Sequence, residues 1–199
     1  LVVLGVLLNT APNIVYKKVN GPNAEVMHRN AAEAEVYGLK MAQLFMPRPW
    51  HRIEPMHNAG NRYNQYSPLV NENISSTLGI VGGMGFVLIG WVFVRLAAGL
   101  KPDRRLLTLA ALVSLLFLFG TIGGLGSLFS MMISSSIRGW NRISVFIGFG
   151  TIALFFIALQ LGVARYLRRS QSVFIYLSAI VLCALAIYDQ TSPTCLSCN

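Results

Sequence analysis

The feature that most constrains this chain is a set of apolar stretches as long as a hydrocarbon core is thick. Four runs lie at about 77–100 ("TLGIVGGMGFVLIGWVFVRLAAGL"), 106–133, 143–164 and 172–188, with one charged residue among them, Arg95. Crossing a bilayer takes about 20 residues of helix, because no water is there to satisfy backbone polar groups and each helix must satisfy its own. A further apolar stub at 1–10 reads as the end of another such helix. The expected fold is therefore an all-α integral membrane protein, a polytopic helical bundle.

Composition agrees. The 199 residues are 54% hydrophobic and 12% charged, and the mean hydropathy is +0.58. A soluble domain needs more charge than that for its surface. The net charge of +9 would suggest nucleic acid in a soluble protein. Here the cations sit in short loops beside apolar runs, which is how membrane topology is written, and no nucleic-acid motif accompanies them.

Those loops set an orientation. Arg95, Lys101, Arg104 and Arg105 flank the 101–105 loop, and Arg165, Arg168 and Arg169 flank the 166–171 loop, whereas "SSSIRGWNR" at 134–142 carries only Arg138 and Arg142. Positive-inside bias places 101–105 and 166–171 in the cytoplasm. Parity then puts 11–76, 134–142 and the tail from 190 to 199 outside. The opening "LVVLGVLLNTAPN" shows neither a basic n-region nor a cleavage site. It reads as a fragment entering near the end of a helix, and "TSPTCLSCN" reads as the start of a truncated external segment.

Glycines recur in the spans. Gly79/Gly83 and Gly120/Gly124 fit the small-xxx-small spacing that lets helices pack closely. A phosphate-binding loop is excluded, since no strand precedes "GIVGGMG" or "GTIGGLGS" and no Gly-Lys-Ser/Thr follows. "FGTIGGLGSLFS" is alternatively a helix broken at membrane depth, which would mark a cavity.

The external segment 11–76 is too long for a plain connection. After the turn chemistry of "NTAPN" and "NGPN", residues 24–46 combine helix formers with a stop at Pro47 and Pro49. The expectation is one amphipathic helix lying at the membrane interface, with Tyr37, Met41, Leu44 and Phe45 on its buried face. Glu35 falls on an apolar side of that helix. It is either a snorkelling side chain or a site carboxylate, since an unpaired carboxylate there is costly.

Beyond it, "PRPWHRIEPMHNAGNRYNQYSPLVNENIS" gathers Trp50, His51, Arg52 and the run Asn71-Glu72-Asn73. Aromatic faces, amides and acids suit sugar hydroxyls, and arginines suit phosphate. The alternative is a solvated loop whose cations meet lipid headgroups. His51 and His57 lack metal-ligand spacing, so no metal is expected. Arg138 and Arg142 are four apart in a short outward loop, against the topology bias. Either a specific anion or headgroup anchoring explains them. Cys183 reads as span packing, and Cys195 with Cys198 forms a lone CxxC in the tail.

The strings "EAEVYGLKMAQLFMP", "YNQYSPLVNEN", "LGIVGGMGF", "IRGWNRISVFI" and "YDQTSP" resemble a group of bacterial polytopic membrane proteins. These are described as sugar translocases or membrane glycosyltransferases, and they are similar to the GT-C class that uses polyprenyl-phosphate sugars. The resemblance implies an inner-membrane protein with its long loop in the periplasm. It also implies a lipid-linked sugar as donor substrate and no cofactor. Under it, Glu35 or Glu33 would be the general base and Arg52, Arg138 and Arg142 would neutralise the leaving phosphate. His51, Trp50, Asn71, Glu72 and Asn73 would bind substrate. A transporter or flippase of lipid-linked sugars, or a non-catalytic assembly protein, are the alternatives.

Overall fold

The computed structural model describes residues 2–21, 29–166 and 171–192, and side chains at positions 2, 3, 166, 171 and 172 are left aside. It divides into two units, 1–30 and 31–199. Cys195, Cys198, residues 24–28 and most of the 166–171 loop fall outside the described residues.

The first unit holds one helix, α1 (Val2–Asn20). The stub therefore does not end near residue 10, and the "NTAPN" turn does not form. Pro12 sits inside the helix, where it can donate no backbone bond. Thr10 Oγ1 donates to the Val6 carbonyl at 2.8 Å. Lys17 and Lys18 in the last turn complement the negative end of the helix dipole. Gly21, at φ 75°, stops the helix in the left-handed region that glycine adopts freely.

The second unit contains α2 (Glu33–Val36), α3 (Met41–Phe45), α4 (Glu54–Tyr66), α5 (Gly79–Ala97), α6 (Arg104–Gly120), α7 (Leu125–Met132), α8 (Ser144–Tyr166) and α9 (Gln171–Gln190). No strand occurs among the described residues. Three segments are long and apolar enough to cross a membrane: Gly79–Ala97, Trp140–Arg165 and Val173–Gln190. They fit a multi-pass membrane protein.

At the centre α8 packs against both α5 and α6. Ile89 and Val92 from α5, Leu106, Ala110 and Val113 from α6, and Ile147 and Leu154 from α8 form the core. Adjacent residues of α8 make close approaches to its two neighbours. A Cβ on Gly85 would lie 2.0 Å from the Thr151 carbonyl oxygen, and one on Gly150 would lie 2.4 Å from Val113 Cγ2. Of the Gly79/Gly83 pair, Gly79 also sits at a tight approach, since a Cβ there would lie 2.2 Å from Gln190 Nε2 on α9. Gly83 faces Phe45, and Gly79 has a φ of 67° beside Asp189 and Gln190.

The 106–133 run is not one span. α6 ends at Gly120, the chain turns through 121–124 with Gly123 at φ 69°, and α7 follows. Cβ atoms on Gly124 and Gly126 would strike the Leu118 and Phe119 carbonyls at 2.1 and 2.3 Å. These glycines make a sharp corner rather than a helix–helix seam, so the helix is broken here.

The expected single helix over 24–46 is also broken, at Gly38–Lys40. Leu39 is inserted fully buried in extended form. Its N–H donates to the Gly120 carbonyl at 2.7 Å, and its carbonyl accepts from Ile122 N–H at 3.0 Å. A Cβ on Gly38 would press on Ile122 at 2.8 Å. Local helix propensity yields here to a tertiary seam with the corner after α6. The expected apolar face changes with it: Leu44 is fully buried, but Met41 is 57% exposed.

Helix α4 was not expected. Its start carries Pro55 in the first turn, where proline's missing N–H costs nothing, and Gly60 lets it rest on the Pro47 and Arg48 backbone. Cys183, expected to pack, is exposed on α9.

The loop segment touches the end of α6 through Leu39. It reaches the start of α5 through the Leu78 N–H to Leu44 carbonyl bond of 2.9 Å, and the end of α9 through His51 and Asp189. Those three helix ends therefore share one side of the bundle, here the loop end. The 101–103 connection and the ends of α5 and α8 lie at the other.

Candidate functional site

Three polar groups sit at the loop end. The first is an amide knot that holds the loop's shape. Asn73 is fully buried. Its Oδ1 accepts from Gln43 Nε2 at 3.2 Å, and its Nδ2 donates to the Gly38 and Leu69 carbonyls at 3.2 and 3.3 Å. Asn71 caps the short 3₁₀ turn 72–75 by accepting from Asn73 N–H at 3.1 Å, and it donates to the Val36 carbonyl at 2.7 Å. Leu69 stands at φ 55°, an unusual conformation that two side-chain amides hold through its carbonyl. With these bonds made, the Asn71 and Asn73 amides serve the loop itself. Lys40 closes the same loop by donating to Ser67 Oγ at 3.0 Å and to the Pro68 carbonyl, and burial pushes its pKa down.

The second group fastens the loop to the end of α9. His51 Nε2 lies 3.1 Å from Asp189 Oδ1, and both side chains are buried. His51 Nδ1 accepts the Ile53 N–H at 3.0 Å, so the ring proton sits on Nε2 and is donated to Asp189. Asp189 Oδ2 accepts from Ile80 N–H at 3.0 Å and from Gln190 Nε2 at 3.1 Å. Arg48 Nη1 donates to the Gln190 carbonyl. Arg52 donates to the Thr191 carbonyl and Oγ1, each at 3.1 Å, with its guanidinium 5.3 Å from the Tyr188 ring centre. Trp50 lines the small hollow between these groups. His51 uses both ring nitrogens and Arg52 its Nε and Nη2 in these bonds, which gives both side chains fastening roles.

The third group has the character of a working surface. Arg138 Nη1 is 4.0 Å from Glu33 Oε2, and its Nη2 is 4.0 Å from Glu72 Oε1. Arg142 Nη2 is 4.0 Å from Glu72 Oε2. Arg138 also lies over the Tyr37 ring at 5.0 Å. At such separations charge is shared but no hydrogen bond is formed. The Trp140 ring between the two arginines is stacked on Phe119 at 5.9 Å and meets Phe129 edge-on at 5.8 Å, which fixes the segment rigidly. Glu33 Oε2, Trp140 Nε1 and Asn141 Oδ1 are all enclosed without a hydrogen-bond partner. Gln43 Oε1 in the amide knot and Arg48 Nε beside the end of α9 are enclosed in the same way, so such atoms are spread over the loop end, each a place where a ligand or water would be accommodated.

The two candidate bases differ. Glu35 Oε2 accepts the Gly123 N–H at 2.8 Å, pinning the corner between α6 and α7. Glu33 keeps an oxygen with no such engagement. Of the residues read from sequence, the structure brings Glu33, Glu72, Arg138 and Arg142 together, and places His51, Trp50 and Arg52 around the end of α9. Among the described residues no three His, Cys, Asp or Glu side chains gather in a way that would hold a metal ion.

Sequence reading missed Asp189 and the groove beside it. That groove, about 610 Å³, runs along α5 between Phe45, Met46, Met56, Met84 and Phe155, and among the described residues its only charged lining residue is Asp189. Gly79 and Gly83 leave its wall open. The partner of His51 lies 138 positions away, so no local spacing announces it. Compared with known protein families, curated proteins and solved structures, the chain matches none of them.

Proposed function

We propose that this chain is part of a bacterial inner-membrane glycosyltransferase that takes its sugar from a lipid-linked donor at the outer face. The observation that carries the reading is the Glu33–Arg138–Glu72–Arg142 cluster, in which guanidiniums and a carboxylate oxygen face one another unfilled by hydrogen bonds. The loop end is the outer end in this reading, because the opposite end carries the excess of short-loop cations.

Each part then has a task. The apolar groove accepts the lipid portion of the donor, since concave apolar walls with few polar groups suit such a chain. Glu33 accepts the proton of the acceptor hydroxyl as its oxygen attacks the anomeric carbon. The bond from that carbon to the phosphate oxygen breaks, and the departing lipid phosphate keeps the electron pair. Arg138 and Arg142 stabilise the charge that develops there. Glu72, between the two arginines, holds them apart and aimed.

The test uses the full-length protein in vesicles with a lipid-linked sugar and an acceptor. Arg138→Lys and Arg142→Lys each slow transfer while expression and insertion stay normal, because lysine lacks the planar, two-pronged donor that grips phosphate. If both lysine variants transfer sugar like wild type, the pair is a headgroup anchor and the reading fails. A transporter of the same substrate would move the lipid-linked sugar across the vesicle membrane with Glu33→Gln in place, whereas the transferase loses its product.

A further inference from the structure

The end of the bundle opposite the candidate site holds a cleft of about 300 Å³ between the C-terminal parts of α5 and α8 and the start of α6. Its lining includes Arg95, Lys101, Arg165, Trp91, Asp103 and Gly162. Among the described residues three cations therefore meet one carboxylate, and that carboxylate is already occupied. Asp103 Oδ1 accepts from Arg105 N–H at 2.8 Å to cap α6, and its oxygens also take the Arg105 guanidinium at 3.2 and 3.4 Å. Arg105 accordingly holds the Asp103 carboxyl below the usual range. Among the described residues, none of Arg95, Lys101 and Arg165 is ion-paired to an acid.

Arg95 shows the cleft is shaped rather than merely charged. Its guanidinium lies 4.9 Å from the Trp91 ring centre, which fixes the plane of the group. Its Nε is enclosed without a hydrogen-bond partner. Leaving a guanidinium N–H enclosed and unsatisfied is costly, and an oxyanion in the cleft would remove that cost. Gly162 adds room, since a Cβ there would meet nothing within 4 Å.

We infer that this cleft is a binding site for a phosphate-bearing anion, distinct from the loop-end site. The chemistry is that of a phosphoryl oxyanion gripped by Arg95, Lys101 and Arg165. Its source is either the headgroup of an anionic phospholipid or a free phosphate. The inference does not depend on the transferase reading.

The test follows thermal unfolding of the purified full chain in neutral detergent on adding phosphatidylglycerol, phosphatidylcholine or inorganic phosphate. Phosphatidylglycerol, inorganic phosphate or both raise the midpoint, and phosphatidylcholine does not. A response to phosphatidylglycerol alone assigns the site to a lipid headgroup, and a response that includes inorganic phosphate assigns it to the free anion. Arg95→Gln abolishes the response. Gly162→Phe fills the cleft without removing a charge and also abolishes it, which separates a site from general attraction to a basic surface. Arg104→Gln, exposed on α6 outside the lining, leaves it intact. No response to either anion, or an undiminished response in Gly162→Phe, overturns the inference.

Discussion

The two ends of the helical bundle use arginine in opposite ways. At the loop end Arg48 and Arg52 hold the terminus of α9, and Arg138 and Arg142 face Glu33 and Glu72. At the other end Arg95, Lys101 and Arg165 line a cleft whose one carboxylate is taken by Arg105. One end is a polar structure that happens to be charged. The other is a cleft whose cations Arg95, Lys101 and Arg165 have no acid partner among the described residues. Charge at the first end should therefore matter to folding and chemistry, and charge at the second to what is bound.

The largest stability effects belong to the loop end and its seat on the helices. Leu44 is fully buried against the core whereas Met41 in the same short helix is 57% exposed. Leu44→Ala should cost about 2–5 kcal/mol as a core truncation, with Met41→Lys within about 0.5 kcal/mol of wild type. Chemical unfolding in detergent checks the pair, and equal effects would show that α3 does not dock by this face. Asp189→Asn removes the carboxylate that gathers His51 and the Ile80 N–H, and about 2–3 kcal/mol should be lost. Release of the 31–78 segment to protease at lower temperature would be its signature.

Next comes the bundle itself, which the two ends share. Gly85→Leu drives a side chain into the Thr151 backbone and should cost about 1–3 kcal/mol or more. Gly90→Leu, where a Cβ meets nothing within 4 Å, serves as its neutral control. The smallest effect is at the opposite end. The Asp103 carboxyl has a depressed pKa because Arg105 bonds its charged form. Its contribution is thus fully present above the ordinary carboxylate range and is lost as pH falls through the lowered value. Asp103→Ala should flatten that acid limb of a stability–pH profile, losing the contribution at neutral pH, where the carboxylate is charged and caps α6, and converging on wild type at the acid end.

How much of this could be read from sequence follows from what each element depends on. The runs at 77–100, 143–164 and 172–188 became α5, α8 and α9 because long apolar composition is itself the physical cause of such helices. The 106–133 run misled, since hydropathy is blind to the turn at 121–124, where Thr121 is extended and Gly123 has a positive φ although the chain stays apolar. The break at Gly38–Lys40 was hidden for a different reason: it is made by the Gly120–Ile122 backbone, more than 80 positions away. Helix α4 had a visible signal in Pro55, masked by aromatics and cations that drew attention to binding instead. In the candidate site, Arg138 and Arg142 were legible as cations against expectation for their position, whereas Glu35 and not Glu33 stood out as the misplaced carboxylate, and Glu72 was visible only within the run Asn71-Glu72-Asn73. That Glu35 would pin a corner, and that His51 would answer to Asp189, required the fold.

The central claim is that Glu33 does chemistry at the loop end while cations at the other end do not take part in it. The most direct measurement is the rate of sugar transfer from a lipid-linked donor by the full-length protein in vesicles, comparing Glu33→Gln with Arg104→Gln. The account predicts a loss of about 10²–10⁴-fold for Glu33→Gln, the scale of removing a general base, with unchanged folding, and a wild-type rate for Arg104→Gln. Transfer by Glu33→Gln at the wild-type rate would contradict it.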